Sequence, residues 1–462
     1  MCGCPKQIGL TRANVPRANF RALLTVTLYF HQYRPIASST STTAVRVLFF
    51  LLIASVTRAQ DAQHWWAHSP EFRTRYYNVK TDLTESDARH LATHMDITFE
   101  AYARLFAGLK ARTPKSLDLY LFADQQDYNA VLAEKFRAVG TGSWGMAITR
   151  RGETSLVAWQ GKYSRTDMES VLQHEGFHQF ARYLFPRLPS WANEGLAEVF
   201  QRGVEIDGKI VLGEVSPRDL LMLTKATEQR QFRSFAQFFT MDQRVWNQHV
   251  QYGQANTNYL QAWCIVHFFL YADGAKYQPA FMDFLVGLNR QLPWQEAFVR
   301  AYGSPDFSAM EQKWLDYVVA LQQADYRETI RRLEFLAAGM RRLHEDQVYP
   351  LSISELQSAL LKFDFEHRSD LFEKPRKMSA SDATLFRAAA GNSAESQIAF
   401  RLTDAKGKPV EMPNSENAKA KLMRKLSRQP LQITTVGLEP RELVVRWKRA
   451  GKGSFQPMLS TE

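Results

Sequence analysis

Cysteine is nearly absent from this 462-residue chain, with only Cys2, Cys4 and Cys264 present. Cys2 and Cys4 fall in a segment expected to be removed, so Cys264 would stand alone and no intrachain disulfide framework can support the mature fold. Its neighbours Ala262, Trp263, Ile265 and Val266 are apolar, which reads as a packed thiol rather than a nucleophile. Internal repeats are absent, and so are long apolar runs near the N-terminus. Residues 47–56 (VLFFLLIASV) make a run of ten, against about 20 needed to span a bilayer. Acids are missing altogether from residues 1–59, which hold seven Lys and Arg and so carry +7 of the formal +11. Residues 60–326 carry 27 Lys and Arg against 30 Asp and Glu, and residues 327–462 carry 24 against 17. The middle of the chain is therefore mildly acidic, and no basic stripe argues for nucleic acid. The basic tail is the part suited to an anionic envelope surface.

What is present begins with an export signal. Arg46, the apolar run and Thr57-Arg58-Ala59, a small-x-small cleavage site before Gln60, have the layout of a secretory leader. Residues 45–59 would suffice for that role, which puts the true start near Val45. The mature chain is expected to be secreted or periplasmic, without a membrane span. With 45% hydrophobic and 23% charged residues, it has the composition of a globular protein long enough for more than one core.

Residues 72–79 read as a strand, and Thr84 as the cap of an amphipathic helix running to about Leu109. Residues 116–123 alternate like a half-buried strand, and residues 154–159 form a second candidate after the Arg150-Arg151-Gly152 turn signal. From Asp167 to Leu321 the periodicity is helical, broken at Pro186, Pro189, Gly208, Pro217, Gly274 and Gly303. A helix over residues 326–343 leads to another capped at Ser352, where Glu355 completes an S-x-x-E box. Residues 397–402, 431–436 and 442–449 read as strands. The expected organisation is a leader (1–59), a catalytic domain (60–326), a helical connector (327–378) and a small β-rich or partly disordered tail (379–462).

The chemistry concentrates in Gln173-His174-Glu175-Gly176-Phe177-His178, an H-E-x-x-H sequence. On a helix, His174 and His178 lie one turn apart on one face, so both imidazoles can reach a single ion. Glu175 sits beside that ion rather than on it, where a general base for a metal-activated water belongs. The flanking Val171, Leu172, Phe177, Phe180, Ala181 and Leu184 make this a core helix, and a buried His pair needs a partner. Fifteen residues beyond His178 comes Asn193-Glu194-Gly195-Leu196-Ala197-Glu198.

Together these segments resemble the gluzincin peptidases, in which H-E-x-x-H is followed by a helix carrying N-E-G-x-A. The resemblance implies a zincin-like fold with one zinc per chain, Glu194 as third ligand, and Glu198 as the acid that orients His174 through its free ring nitrogen. The wider match, from about Phe72 to Leu321, looks like a secreted bacterial peptidase-MA-like domain family of uncharacterised function. Tyr259 falls much where the aminopeptidase branch places a tyrosine that donates to the developing oxyanion; Tyr252 and Arg182 are the next donors in line. The spacing from His178 to Glu194 is shorter than that branch uses, and no G-A-M-E-N segment is present, so the resemblance implies peptide hydrolysis without implying aminopeptidase activity. His267 faces an apolar run and reads as a core histidine.

The reading is an α+β protein: a zincin-like catalytic domain of small mixed sheet and helical subdomain, followed by a basic α/β tail. Its expected function is hydrolysis of peptide or protein substrates, with the strand at 154–159 as an edge to which an extended peptide could add. Two alternatives use the same residues. One is a zinc amidase acting on cell-wall or modified peptides, and the other an envelope-binding protein with a structural zinc. Three protein ligands with a Glu beside one of them favour an open, catalytic site.

Overall fold

The computed structural model describes residues 71–461, apart from 111–112, 141, 322, 374, 388–397 and 452–453. The expected leader lies outside the described residues. The architecture is α+β, and the described residues belong to one compact unit.

The single strand expected over residues 72–79 is two strands, β1 (Glu71–Arg73) and β2 (Tyr77–Thr81), paired antiparallel. The reversal is set by Asp96, whose carboxylate accepts from Thr74 Oγ1 and from the backbone N–H groups of Arg75 and Tyr76 at 2.8–3.0 Å. Thr84 caps α1 (Glu85–Leu105) by accepting from the Asp87 N–H. Then follow β3 (Leu117–Phe122), α2 (Gln125–Val131) with a π-helical turn over Leu132–Phe136, β4 (Gly145–Arg150) and β5 (Glu153–Trp159). The sheet order is β1-β2-β3-β5-β4, parallel at β2/β3 and β3/β5 and antiparallel at both ends.

Two expectations change here. β3 is central and buried on both sides rather than half-buried. Leu119 and Leu121 pack with Leu91, Met95 and Leu172 on one face, and Tyr120 and Phe122 with Tyr128, Val131 and Leu132 on the other. β5 is interior, flanked by β3 and β4, so the edge beside the helix that carries His174 and His178 is β4, in register with β5 through Ala147 and Leu156.

The chain then turns helical with α3 (Arg165–Leu184) and α4 (Ser190–Gln201). Residues expected to stay helical around Gly208 instead form a hairpin, β6 (Val204–Ile206) and β7 (Lys209–Val211). Asp207 and Gly208 both have positive φ, 51° and 65°, the backbone that a tight Asp-Gly hairpin turn requires. Seven helices follow: α5 (Pro217–Glu228), α6 (Phe235–Phe239), α7 (Gln243–Gln251), α8 (Asn256–Ala275), α9 (Gln278–Asn289), α10 (Trp294–Tyr302) and α11 (Ser308–Ala320). α8 is buried nearly all round and leaves helical dihedrals at Ala272–Gly274. Trp191, Trp263, Phe200 and Phe269 centre this helical core.

α12 (Tyr326–Glu345) and α13 (Ile353–Lys362) come next. Ser352 caps α13 by accepting from the Glu355 N–H, but the Glu355 carboxylate accepts from the Leu351 N–H rather than from Ser352, so the expected box is not reciprocal. Beyond the short hairpin β8 (Glu366–Ser369) and β9 (Arg376–Ser379), β10 (Ala399–Thr403), β11 (Gln432–Val436), β12 (Leu443–Gly451) and β13 (Ser454–Thr461) form an antiparallel sheet in that order, with α14 (Glu416–Leu426) between β10 and β11. The Tyr326 hydroxyl donates to Arg441 O and accepts from its N–H, tying this sheet to α12. Among the described residues no helix is long and apolar enough to cross a membrane.

Candidate metal centre

Ser164 starts α3 with a reciprocal capping box to Asp167. The helix buries Leu172, Phe177 and Phe180, which fixes its rotation. That rotation sends His174 and His178 toward the N-terminal half of α4, with ring centroids 4.9 Å apart. α4 lies directly against α8 because residue 195 is glycine. A Cβ there would stand 2.4 Å from Ala262 O, so any side chain would push the two helices apart. The sequence Asn193-Glu194-Gly195 therefore couples a ligand-type carboxylate to the contact that positions it.

The convergence is close. Glu194 Oε2 lies 3.5 Å from His174 Nε2 and 3.5 Å from His178 Nε2. Among the described residues these three side chains are the one His/Cys/Asp/Glu group able to share an ion, with ligand atoms all within 4.8 Å of one another. A tetrahedral zinc with bonds of about 2.0–2.1 Å holds its ligand atoms about 3.3–3.4 Å apart, close to the two Glu194–His spacings. The far side of His178 is hydrogen-bonded, while that of His174 has a carboxylate near it without a hydrogen bond. His178 Nδ1 faces Asn193 Oδ1 at 3.2 Å, His174 Nδ1 faces Glu198 Oε1 at 3.5 Å, and Asn193 Nδ2 donates to Glu194 Oε1 at 3.2 Å.

Electrostatics point the same way. Burial disfavours a charged His174, but the hydrogen bond to Glu194 and the charges of Glu198 and Glu175 outweigh it and push the pKa up to about 9. His178 is raised in the same manner, with burial opposed chiefly by Glu194. For Glu194 burial favours the neutral acid, yet the two imidazoles hold it far below the usual carboxylate range. Two imidazoles facing the carboxylates of Glu175, Glu194 and Glu198 attract positive charge, and a divalent cation supplies it without protonating the ligands.

Glu175 is outside the ligand group. Its Oε2 accepts from the Ala147 N–H on the edge strand at 3.0 Å. Gly145 allows β4 this close: a Cβ there would meet Val171 Cγ1 at 2.8 Å and Glu175 Cγ at 3.3 Å. His174, Glu175, Glu198 and Tyr259 line one open cleft of about 270 Å³, which Trp144 also borders. Tyr259 is half-buried, its ring 6.3 Å from that of His174 and 5.3 Å from that of Trp246. Burial, with Glu194 next in weight, keeps its phenol protonated far above neutrality.

Other candidates lie elsewhere. Arg182 and Tyr252 are exposed and line none of this cleft. His267 is buried, bonded through Nδ1 to the Tyr317 hydroxyl at 2.7 Å, and pushed down to about 4 by burial. Burial likewise pushes the Cys264 thiol up to about 12.

Sequence reasoning missed Arg202 and Asp219. Arg202 Nη1 donates to Glu198 Oε2 at 2.5 Å and Nη2 to Asp219 Oδ1 at 3.0 Å, while its guanidinium lies 4.5 Å from the Trp263 ring centre. The Glu198-x-x-x-Arg202 spacing was a visible i,i+4 signal; Asp219, on another helix, had none. A comparison of the chain with protein-family models and with curated proteins found no match.

Proposed function

We propose that this chain is a zinc-dependent peptidase of the gluzincin type, exported by the segment before Gln60, with a zincin-like catalytic fold. The observation that carries the proposal is a His174–His178–Glu194 group at metal-ligand spacing with Glu175 beside it but outside it. When bound, zinc supplies Lewis acidity, acidifying a water and polarising the scissile carbonyl.

The chain's own residues supply the rest. Glu175 takes the water's proton at its carboxylate and delivers it to the leaving amine. The Ala147 N–H fixes that carboxylate against the edge strand, so the base is oriented before substrate arrives. β4 offers an extended peptide main-chain donors and acceptors next to the base. Tyr259 donates a hydrogen bond from its hydroxyl to the developing oxyanion, a role suited to a phenol that stays neutral at every working pH. Asn193 Oδ1 holds His178 Nδ1, and Glu198, 3.5 Å from His174 Nδ1, is the acid placed to orient that ring when an ion is bound.

The test joins elemental analysis of the purified chain to a cleavage screen over proteins, peptides and wall fragments. One zinc per chain and chelator-sensitive peptide cleavage are expected. Cleavage confined to wall fragments would replace the peptidase with an amidase, and tightly held zinc with no cleavage of anything would leave a structural metal.

A further inference from the structure

A large cavity lies far along the chain from the metal-ligand candidates, in the C-terminal sheet module. It encloses about 810 Å³ between α14, the loop leading to β11, and β12. Its rim carries Lys421, Arg424, Lys425, Arg428 and Arg449 against one acid, Asp404. Asp404 offers little compensation. Its Oδ1 accepts the backbone N–H groups of Lys406 and Lys408, and its Oδ2 reaches only Lys425, at 3.7 Å. Lys421, Arg424, Arg428 and Arg449 have no carboxylate partner among the described residues.

A plain account of cations near α14 exists, since basic residues in a last helical turn complement the helix dipole. It covers Arg424 and Lys425. Lys421 lies a turn earlier and Arg449 comes from a strand, so the dipole does not explain why all five border one cavity. Bringing like charges together costs free energy that an anion would recover.

The cavity wall differs from its rim. Leu422, Leu426, Pro430 and Leu431 face it, and three of these four are buried in the module's core. A polyanion lying across the rim would leave these groups in water. An anion with an apolar portion would use both surfaces.

We propose that this cavity binds the head of an anionic phospholipid, with phosphate on the Arg424, Arg428 and Arg449 guanidinium groups and the first methylenes of the acyl chains against Leu422. Guanidinium groups suit phosphate because their planar N–H forks match its oxygens. The site would hold the enzyme at a lipid surface through a part of the chain separate from the catalytic cleft, and it does not depend on the peptidase proposal.

The experiment titrates the full chain by calorimetry with four probes: monomeric dihexanoyl phosphatidylglycerol, dihexanoyl phosphatidylcholine, glycerol 3-phosphate and a short DNA duplex. Short-chain lipid below its micelle concentration offers no bilayer, so the N-terminal apolar segment cannot mimic the result. One phosphatidylglycerol per chain is expected, bound about tenfold or more tightly than the other three probes. Arg424→Glu with Arg428→Glu lowers that affinity about tenfold or more, and so does Arg449→Glu on the other wall. These side chains are exposed, and unchanged melting temperatures check the fold. Leu422→Ser weakens lipid binding and leaves any glycerol 3-phosphate binding as it was. Equal affinity for the two lipids, glycerol 3-phosphate matching the lipid, DNA binding in place of lipid, or charge-reversed chains binding like the unaltered one would each overturn the proposal.

Discussion

Arg202 and Glu198 form a 2.5 Å ion pair one helical turn apart, and the other Glu198 oxygen faces His174 Nδ1. The pair is mostly shielded from solvent, with side chains 18% and 9% exposed. Arg202 is also the cation for Asp219, so it compensates two carboxylates. Arg202→Met should cost about 3–5 kcal/mol of stability, because it leaves buried charge unpaired. It should also weaken zinc binding about 10- to 100-fold by freeing the group that orients His174. Adding Glu198→Gln should recover part of the stability and none of the zinc affinity. Denaturant unfolding and competitive zinc titration read the two effects separately.

Glu175→Gln should keep both zinc and fold while lowering turnover by about 10²–10⁴-fold. The substituted amide still accepts from the Ala147 N–H, so edge-strand geometry is preserved and the loss reports the base. Undiminished hydrolysis by this variant would remove Glu175 from the chemistry.

Zinc binding should depend on pH with a defined sign. In the metal-free chain the His174 pKa is raised to about 9, so at pH 7 zinc must displace a proton. Apparent affinity should rise from pH 7 to about 9 and level off above. The raised pKa also means that the metal-free fold is stabilised by His174 protonation fully below about 6.5, the unfolded value, and loses that contribution as pH climbs through about 9. Melting of chelator-treated protein should therefore fall over that window, and melting of the zinc form should not follow it. His178→Ala or Glu194→Ala should abolish zinc binding at every pH.

Tyr259→Phe removes one hydroxyl from the cleft and leaves the ring contacts with Trp246 and His174 in place. A fall in kcat of roughly 10- to 10³-fold with KM nearly constant is expected, the pattern of an interaction made mainly in the transition state. Normal turnover with a lower melting temperature would make Tyr259 a packing residue.

The convergence of His174, His178 and Glu194 was legible in the sequence because it is local: two residues on one helix turn and one inside a compact motif, each flanked by apolar residues that fix its helix face. The helices of residues 85–105 and 326–345 were legible from their periodicity, the first also from its Thr84 cap. What stayed hidden depends on long-range pairing. That β5 is interior and β4 the edge follows from β4 folding back on β5, and no local signal ranks two strands by position in a sheet. The β6–β7 hairpin was overlooked because each strand is three residues long, too short for alternation to show, although Asp207-Gly208 announced its turn. The last strand, β13, carries Pro457 and no regular apolar–polar alternation, a pattern shared with loops.

The contact between Gly195 and Ala262 O has a mechanical consequence. It fuses the helix bearing Glu194 to the helix bearing Tyr259, while His174 and His178 ride on α3, packed against the sheet. An ion shared by the three ligands would thus pin α3 to the α4–α8 pair across the core that Phe177, Phe180, Trp191 and Phe200 already share. Chelation should slacken that joint first, loosening the already exposed Pro186–Arg187 turn enough for limited proteolysis at a temperature where the shared core still resists it.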